Sequence, residues 1–84
     1  MDDPWEPYRT AVNAQLRAEI GAAGISVSEF CRRTRIPRPT LDRYLNGTRD
    51  MPLKVLHRAG LALDVEPAVI LARADERRRS RPTA

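Results

Sequence analysis

Between Ser26 and Leu45 two short apolar stripes are separated by only a few residues, and that spacing restricts this chain of 84 residues more than any other feature. Val27, Phe30, Cys31 and Thr34 recur at i, i+3, i+4 and i+7, the buried stripe of a helix about two turns long. Pro37 disfavours helical geometry at the residue before it, so the stripe must break at Arg35-Ile36. Pro37 and Pro39 both stand where a first helical turn tolerates proline. A second short helix is therefore predicted from about Arg38 to Leu45. Asn46-Gly47 stops it, because glycine enters a left-handed conformation without a side-chain penalty.

Three further helices are predicted around this pair. Tyr8, Val12, Leu16 and Ile20 form an i, i+4 series on one helical face that Gly21 and Gly24 end, with Trp5 and Tyr8 standing before the helix proper and closing over the core's edge. Ser26-Val27-Ser28-Glu29 reads as a capping box, Ser26 capping the backbone and Glu29 reaching back to it. Pro52 opens a fourth helix whose expected stripe is Leu53, Leu56, Gly60 and Leu63. Asp64-Val65-Glu66-Pro67 repeats the start signal and introduces a fifth, with Ile70, Leu71 and Ala74 toward the core. No strand-like alternation intervenes, so the fold class is all-α, a compact five-helix bundle.

The totals exclude several alternatives. The longest uninterrupted apolar run, residues 68–72, is far below the roughly 20 residues of a membrane span. The acidic start, Met1-Asp2-Asp3-Pro4, has no apolar stretch behind it to act as a secretory signal, and a cytoplasmic location is expected. The single cysteine, Cys31, forms no internal disulfide, and with the single histidine, His57, it offers no metal-ligand spacing. His57 has no carboxylate or cysteine at i±4 and reads as a surface residue. No nucleophile and base pair is visible, so neither an enzyme, a cofactor nor a small-molecule substrate is expected.

Charge is unevenly placed. The net +4 conceals −3 over residues 1–31, +6 over 32–58 and +1 over 59–84. A basic middle suits a polyanion, because neutralising phosphates releases counterions. At about 100° per residue the Arg38 to Leu45 helix gathers Leu41 and Tyr44 on its core side, with Thr40 and Leu45 at the edges. Arg38, Pro39, Asp42 and Arg43 fall on the outward half. Two short helices joined by a tight turn are the arrangement that lets one helix enter the DNA major groove. Arginine suits that groove because its planar fork donates two parallel bonds to guanine O6 and N7. Asp42 has two readings, accepting from a cytosine amino group or orienting Arg38 or Arg43.

The residues from Ser26 through Cys31, from Ile36 through Gly47, and Pro52 with Leu56, Leu63 and Val65 resemble the phage Cro and repressor-type (XRE-like) helix-turn-helix family over 26–71. The resemblance implies a lambda-repressor-like bundle that binds double-stranded DNA, with base contacts from Arg38, Pro39, Asp42, Arg43 and, in the following loop, Arg49. It implies phosphate contacts from Ser26, Val27 and Ser28 and from Asn46, Gly47 and Thr48. Residues 8–75 are then the DNA-binding domain, 1–7 an extension and 76–84 a basic tail expected to be disordered. Three positions depart from the family pattern. Arg35 replaces the usual turn glycine, at a cost of about 1 kcal/mol if the backbone there is left-handed. Cys31 stands for alanine in a small slot, and Pro39 offers only apolar contact where relatives often carry a polar reader.

The expected role is a transcription regulator of the phage or mobile-element repressor kind, acting by operator occupancy. Leu61 and Val69 fall outside the core stripes and offer a small homodimer contact, the alternative being a monomer on an asymmetric site. Two other classes fit the same fold. One is a protein-interaction adaptor of antitoxin or anti-repressor type, the other an architectural or excision factor that bends DNA. The arginines of 77–81 are read either as a solvated tail or as an arm that follows DNA.

Overall fold

The computed structural model describes residues 4–80, which form α1 (Trp5–Ala22), α2 (Val27–Thr34), α3 (Arg38–Leu45), α4 (Leu53–Leu63) and α5 (Pro67–Arg79), with no strand among them. α1 packs chiefly along α5, α2 rests on α4, and α3 is held by α1 and α2. Phe30, Leu16, Leu41 and Ile70 are the largest side chains wholly shut from solvent. Ile36, expected only as a turn residue, is also part of this core.

The α2 to α3 turn is made by Arg35, which adopts φ 59° and ψ 33°, so the position is left-handed and carries the strain its side chain implies. The amides of Arg35 and Ile36 both donate to the Cys31 carbonyl, the latter at 3.2 Å, which closes α2. Burying Ile36 recovers about 1.5 to 3 kcal/mol and offsets the left-handed residue before it. Pro37 then precedes α3 in an extended conformation, φ −59° and ψ 142°, and Pro39 lies in the first helical turn.

Several expectations need correction. α1 begins at Trp5, so Trp5 and Tyr8 lie inside the helix, their rings 6.0 Å apart, and Gly21 is still helical. Leu53 is 79% exposed and is not part of the α4 stripe, which consists of Val55, Leu56, Ala59, Gly60 and Leu63. Leu53 sits about 90° from the centre of that stripe at the helix's own pitch, which is why the core does not reach it. Asp64 does not start α5: it ends α4 in a left-handed conformation, φ 56° and ψ 43°, and Glu66 precedes Pro67 without a side-chain cap. α5 continues to Arg79, four residues past Asp75, so residues 76–79 of the expected tail are helical, and 81–84 lie outside the described residues.

Gly60 fixes how α4 meets α5. The Val65 amide donates to the Gly60 carbonyl at 3.0 Å, and a Cβ at position 60 would lie 2.7 Å from the Val65 carbonyl oxygen and 3.0 Å from Pro67 Cδ. A polar network at the edge of the seam between α1 and α5 also joins the two helices. Arg73 Nη1 donates to both Glu19 carboxylate oxygens, Gln15 Nε2 donates to Glu19 Oε2 at 2.7 Å, and Arg77 Nε donates to Gln15 Oε1 at 3.1 Å. The Arg73 bonds hold the Glu19 carboxyl below its ordinary value of 4.5 against the opposing effect of burial, and Gln15 adds to the lowering.

Candidate nucleic-acid interface

α3 is eight residues long and is divided cleanly by burial. Leu41, Tyr44 and Leu45 are buried, while Arg38, Pro39, Asp42 and Arg43 are all exposed. The helix is thus braced from behind, and the outward half is free for a ligand. Arg38 Nε donates to Asp42 Oδ1 at 3.2 Å, an i, i+4 pair open to solvent on both sides. Of the two arginines Asp42 was expected to orient, it holds Arg38. Among the described residues no carboxylate pairs with Arg43 or Arg49, so both guanidinium groups keep their donors for an outside acceptor.

The turn after α3 is tied to that helix by backbone bonds. The Asn46 amide donates to the Asp42 carbonyl at 2.9 Å and the Arg49 amide to the Arg43 carbonyl at 3.1 Å. Asn46 Oδ1 accepts from the Thr48 amide at 2.9 Å and from the Thr48 hydroxyl, and Gly47 takes φ 80°. Arg49 is therefore carried on a turn whose start is fixed relative to the outward face of α3. Arg9, from α1, reinforces it. Its Nη1 donates to Asp50 Oδ1 at 3.1 Å, its Nη2 bonds Glu6 Oε1, and its guanidinium lies 3.5 Å from where a Cβ on Gly47 would stand. The Asp50 bond raises the Arg9 pKa above its ordinary value, opposed by desolvation and assisted by Glu6.

At the start of α2, Ser26 Oγ accepts from the Glu29 amide at 3.0 Å, which is half of the expected capping box. The other half is absent: the Glu29 carboxylate turns to Arg32 at 2.7 Å and Arg33 at 3.0 Å. Those two arginines outcompete a backbone amide because the charge attraction adds to the hydrogen bond. Ser26 and Ser28 are exposed and Val27 half-buried. First-turn amides of a helix lack carbonyl partners within it and point partial positive charge outward, which suits a phosphate oxygen.

Among the described residues no three His, Cys, Asp or Glu groups converge to hold a metal. Burial pushes the Cys31 thiol up, which keeps it protonated, and His57 is exposed. One apolar groove, bordered by Trp5, Tyr8, Met51, Leu53 and Leu71, has Arg9 as its only charged lining residue. No helix among the described residues is long and apolar enough to cross a membrane. Sequence reasoning missed Arg9 and Asp50 as supports of the turn. Only the Glu6 and Arg9 spacing was visible in the sequence, because Arg9 and Asp50 are 41 residues apart.

A family model for the Cro/C1-type HTH DNA-binding domain matches residues 15–76. The match begins within α1, ends within α5 and takes in α2, α3 and α4 whole. No curated protein and no solved structure matches the chain.

Proposed function

The chain belongs to the Cro/C1-type helix-turn-helix DNA-binding family, and from that premise we propose that it is a sequence-specific regulator that sets α3 in the major groove of double-stranded DNA. The single observation that supports this most is the division of α3. Arg38 and Arg43 stand exposed on the outward half of a helix whose other half is locked in the core, and Arg43 has no carboxylate to satisfy it among the described residues. A base reader needs both properties, a fixed backbone and a free planar donor.

In this reading Arg43 takes a guanine edge with its two parallel donors. Arg38, steered by Asp42, reads a neighbouring base, and Asp42 presents its second oxygen to a cytosine amino group. Pro39 packs on a thymine methyl group, and Arg49 reaches the flanking step from its anchored turn. The amides and hydroxyls of Ser26, Val27 and Ser28 on one side, and the side-chain amide nitrogen of Asn46, beside Gly47 and Thr48, on the other, hold phosphates and set the register. The action is occupancy of an operator in the cytoplasm, as in repressors of phage and mobile elements, and not catalysis. Leu61, 71% exposed on α4, and Val69, half-buried on α5, supply a small apolar two-fold contact. Paired copies would place recognition helices about 34 Å apart on a palindromic site.

The test is selection of bound fragments from a random duplex pool, followed by Arg38→Ala and Arg43→Ala on the selected site. Each substitution is expected to cost about 1 to 3 kcal/mol and to relax preference at one base position. Equal losses on every duplex would instead mark a DNA-bending factor. No loss at all would leave the outward arginines to a protein partner.

A further inference from the structure

We propose that the polar cleft between α1 and the turn after α3 is a further phosphate-binding subsite, with Arg17 of α1 as its ligand. The cleft, about 280 Å³, is bordered by Arg9, Thr10, Arg17, Asn46 and Gly47. Arg17 is exposed and, among the described residues, has no carboxylate partner. One nitrogen, Nη2, donates to the Leu45 carbonyl at 3.3 Å, which anchors the guanidinium beside Asn46 and leaves its other donors unspent.

The electrostatics require a cation at that place. Leu45 is the last residue of α3, and the carbonyls of a helix C-terminus repel an anion brought near them. Arg17 covers one of those carbonyls and reverses the local sign, so a phosphate seated at Asn46, Gly47 and Thr48 meets positive charge from α1 and not the bare helix end. Arg9 is shared between Glu6, which borders the cleft, and Asp50, so those three groups together carry one net negative charge and Arg17 is the cation lining the cleft that no carboxylate among the described residues offsets. Arg9 therefore serves as the wall that holds the turn, and Arg17 as the group that meets the ligand.

This inference rests on the DNA-binding reading and deepens it. The test measures duplex affinity of the full chain against salt concentration for the parent and for Arg17→Ala, Arg17→Gln and Arg17→Lys, on the selected and an unrelated duplex. Loss of one phosphate contact makes the slope of log affinity against log salt shallower by about 0.9. That loss is expected for Ala and Gln on both duplexes, with base preference unchanged, and Lys restores the slope. A parental slope in Ala and Gln overturns the proposal, whatever their melting temperatures, and leaves Arg17 only as a cap for α3. If the parent binds neither duplex in a salt-dependent way, the underlying reading fails instead. Arg38→Ala on the same selected duplex separates the two failures, since it alters base preference whether or not the subsite exists.

Discussion

Arg73 Nη1 lies 2.9 and 2.8 Å from the two carboxylate oxygens of Glu19, a residue 54 positions earlier that is 5% exposed. The contact joins α5 to α1 and, through the core that α1 shares with α3, supports the helix proposed to read DNA. Removing one partner leaves a buried charge with only Gln15 to stabilise it, so the loss exceeds that of an ordinary surface pair.

Glu19 has a depressed folded pKa, so its contribution is complete above the ordinary value of 4.5 and is lost as pH falls through the lower folded value. Arg73→Ala is expected to lower stability at neutral pH by about 1 to 3 kcal/mol. It should also flatten the part of the acid transition that this carboxylate supplies. Urea unfolding between pH 7 and pH 3 checks both, and an unaltered acid profile in the variant would contradict the pairing.

Gly60→Ala should destabilise the fold. In an open helix this exchange helps by about 1 kcal/mol, but here the new Cβ would meet the Val65 carbonyl oxygen at 2.7 Å, a backbone atom that cannot step aside cheaply. A net loss of about 1 to 3 kcal/mol is expected, read by thermal unfolding. A gain would mean that α4 and α5 are farther apart than described.

Arg35→Gly removes the left-handed penalty at φ 59° and is expected to stabilise the chain by about 1 kcal/mol, offset in part by the added freedom of glycine when unfolded. Calorimetry should register a rise in Tm of several degrees. The selected duplex should bind with near-parental preference, since Arg35 is not among the proposed readers.

Where the chain carries strong local punctuation, the sequence was enough to define the fold. Pro37 on one side and Asn46-Gly47 on the other bound α3 at the residues observed, and helical pitch alone separated Arg38 and Arg43 from Leu41 and Tyr44. Leu53 was misplaced because Pro52 marks where a helix starts but not which way its first residue faces. That direction is set by Val55 and Ala59 packing into the core. The run Asp64-Val65-Glu66-Pro67 carries a helix-start signal, yet its first residue ends α4 in a left-handed conformation, next to the close approach of Gly60 to Val65 and Pro67. The supports of the site were harder to foresee. The contacts of Arg9 with Asp50 and Arg17 with Leu45 unite residues far apart in the chain, and only the packing of α1 beside α3 brings them together.

Asp42→Asn should free Arg38 and add one unit of net positive charge to the outward face. Affinity for an unrelated duplex is expected to rise, and the ratio between selected and unrelated duplex to fall, because the charge gain is sequence-independent while the steering of Arg38 is not. Parallel titrations of the two duplexes measure this. An unchanged ratio would show that Asp42 does not orient Arg38 for reading.

The most direct measurement pairs Arg43→Ala with duplexes in which single guanines of the selected site are replaced by 7-deazaguanine, which lacks the N7 acceptor in the major groove. One such replacement should weaken parental binding by about 1 to 3 kcal/mol and have little further effect on the variant, since both remove the same hydrogen bond. If no guanine behaves in this way, with every replacement either tolerated by the parent or equally harmful to both proteins, Arg43 does not read a guanine edge in the major groove and the central role proposed for it is wrong.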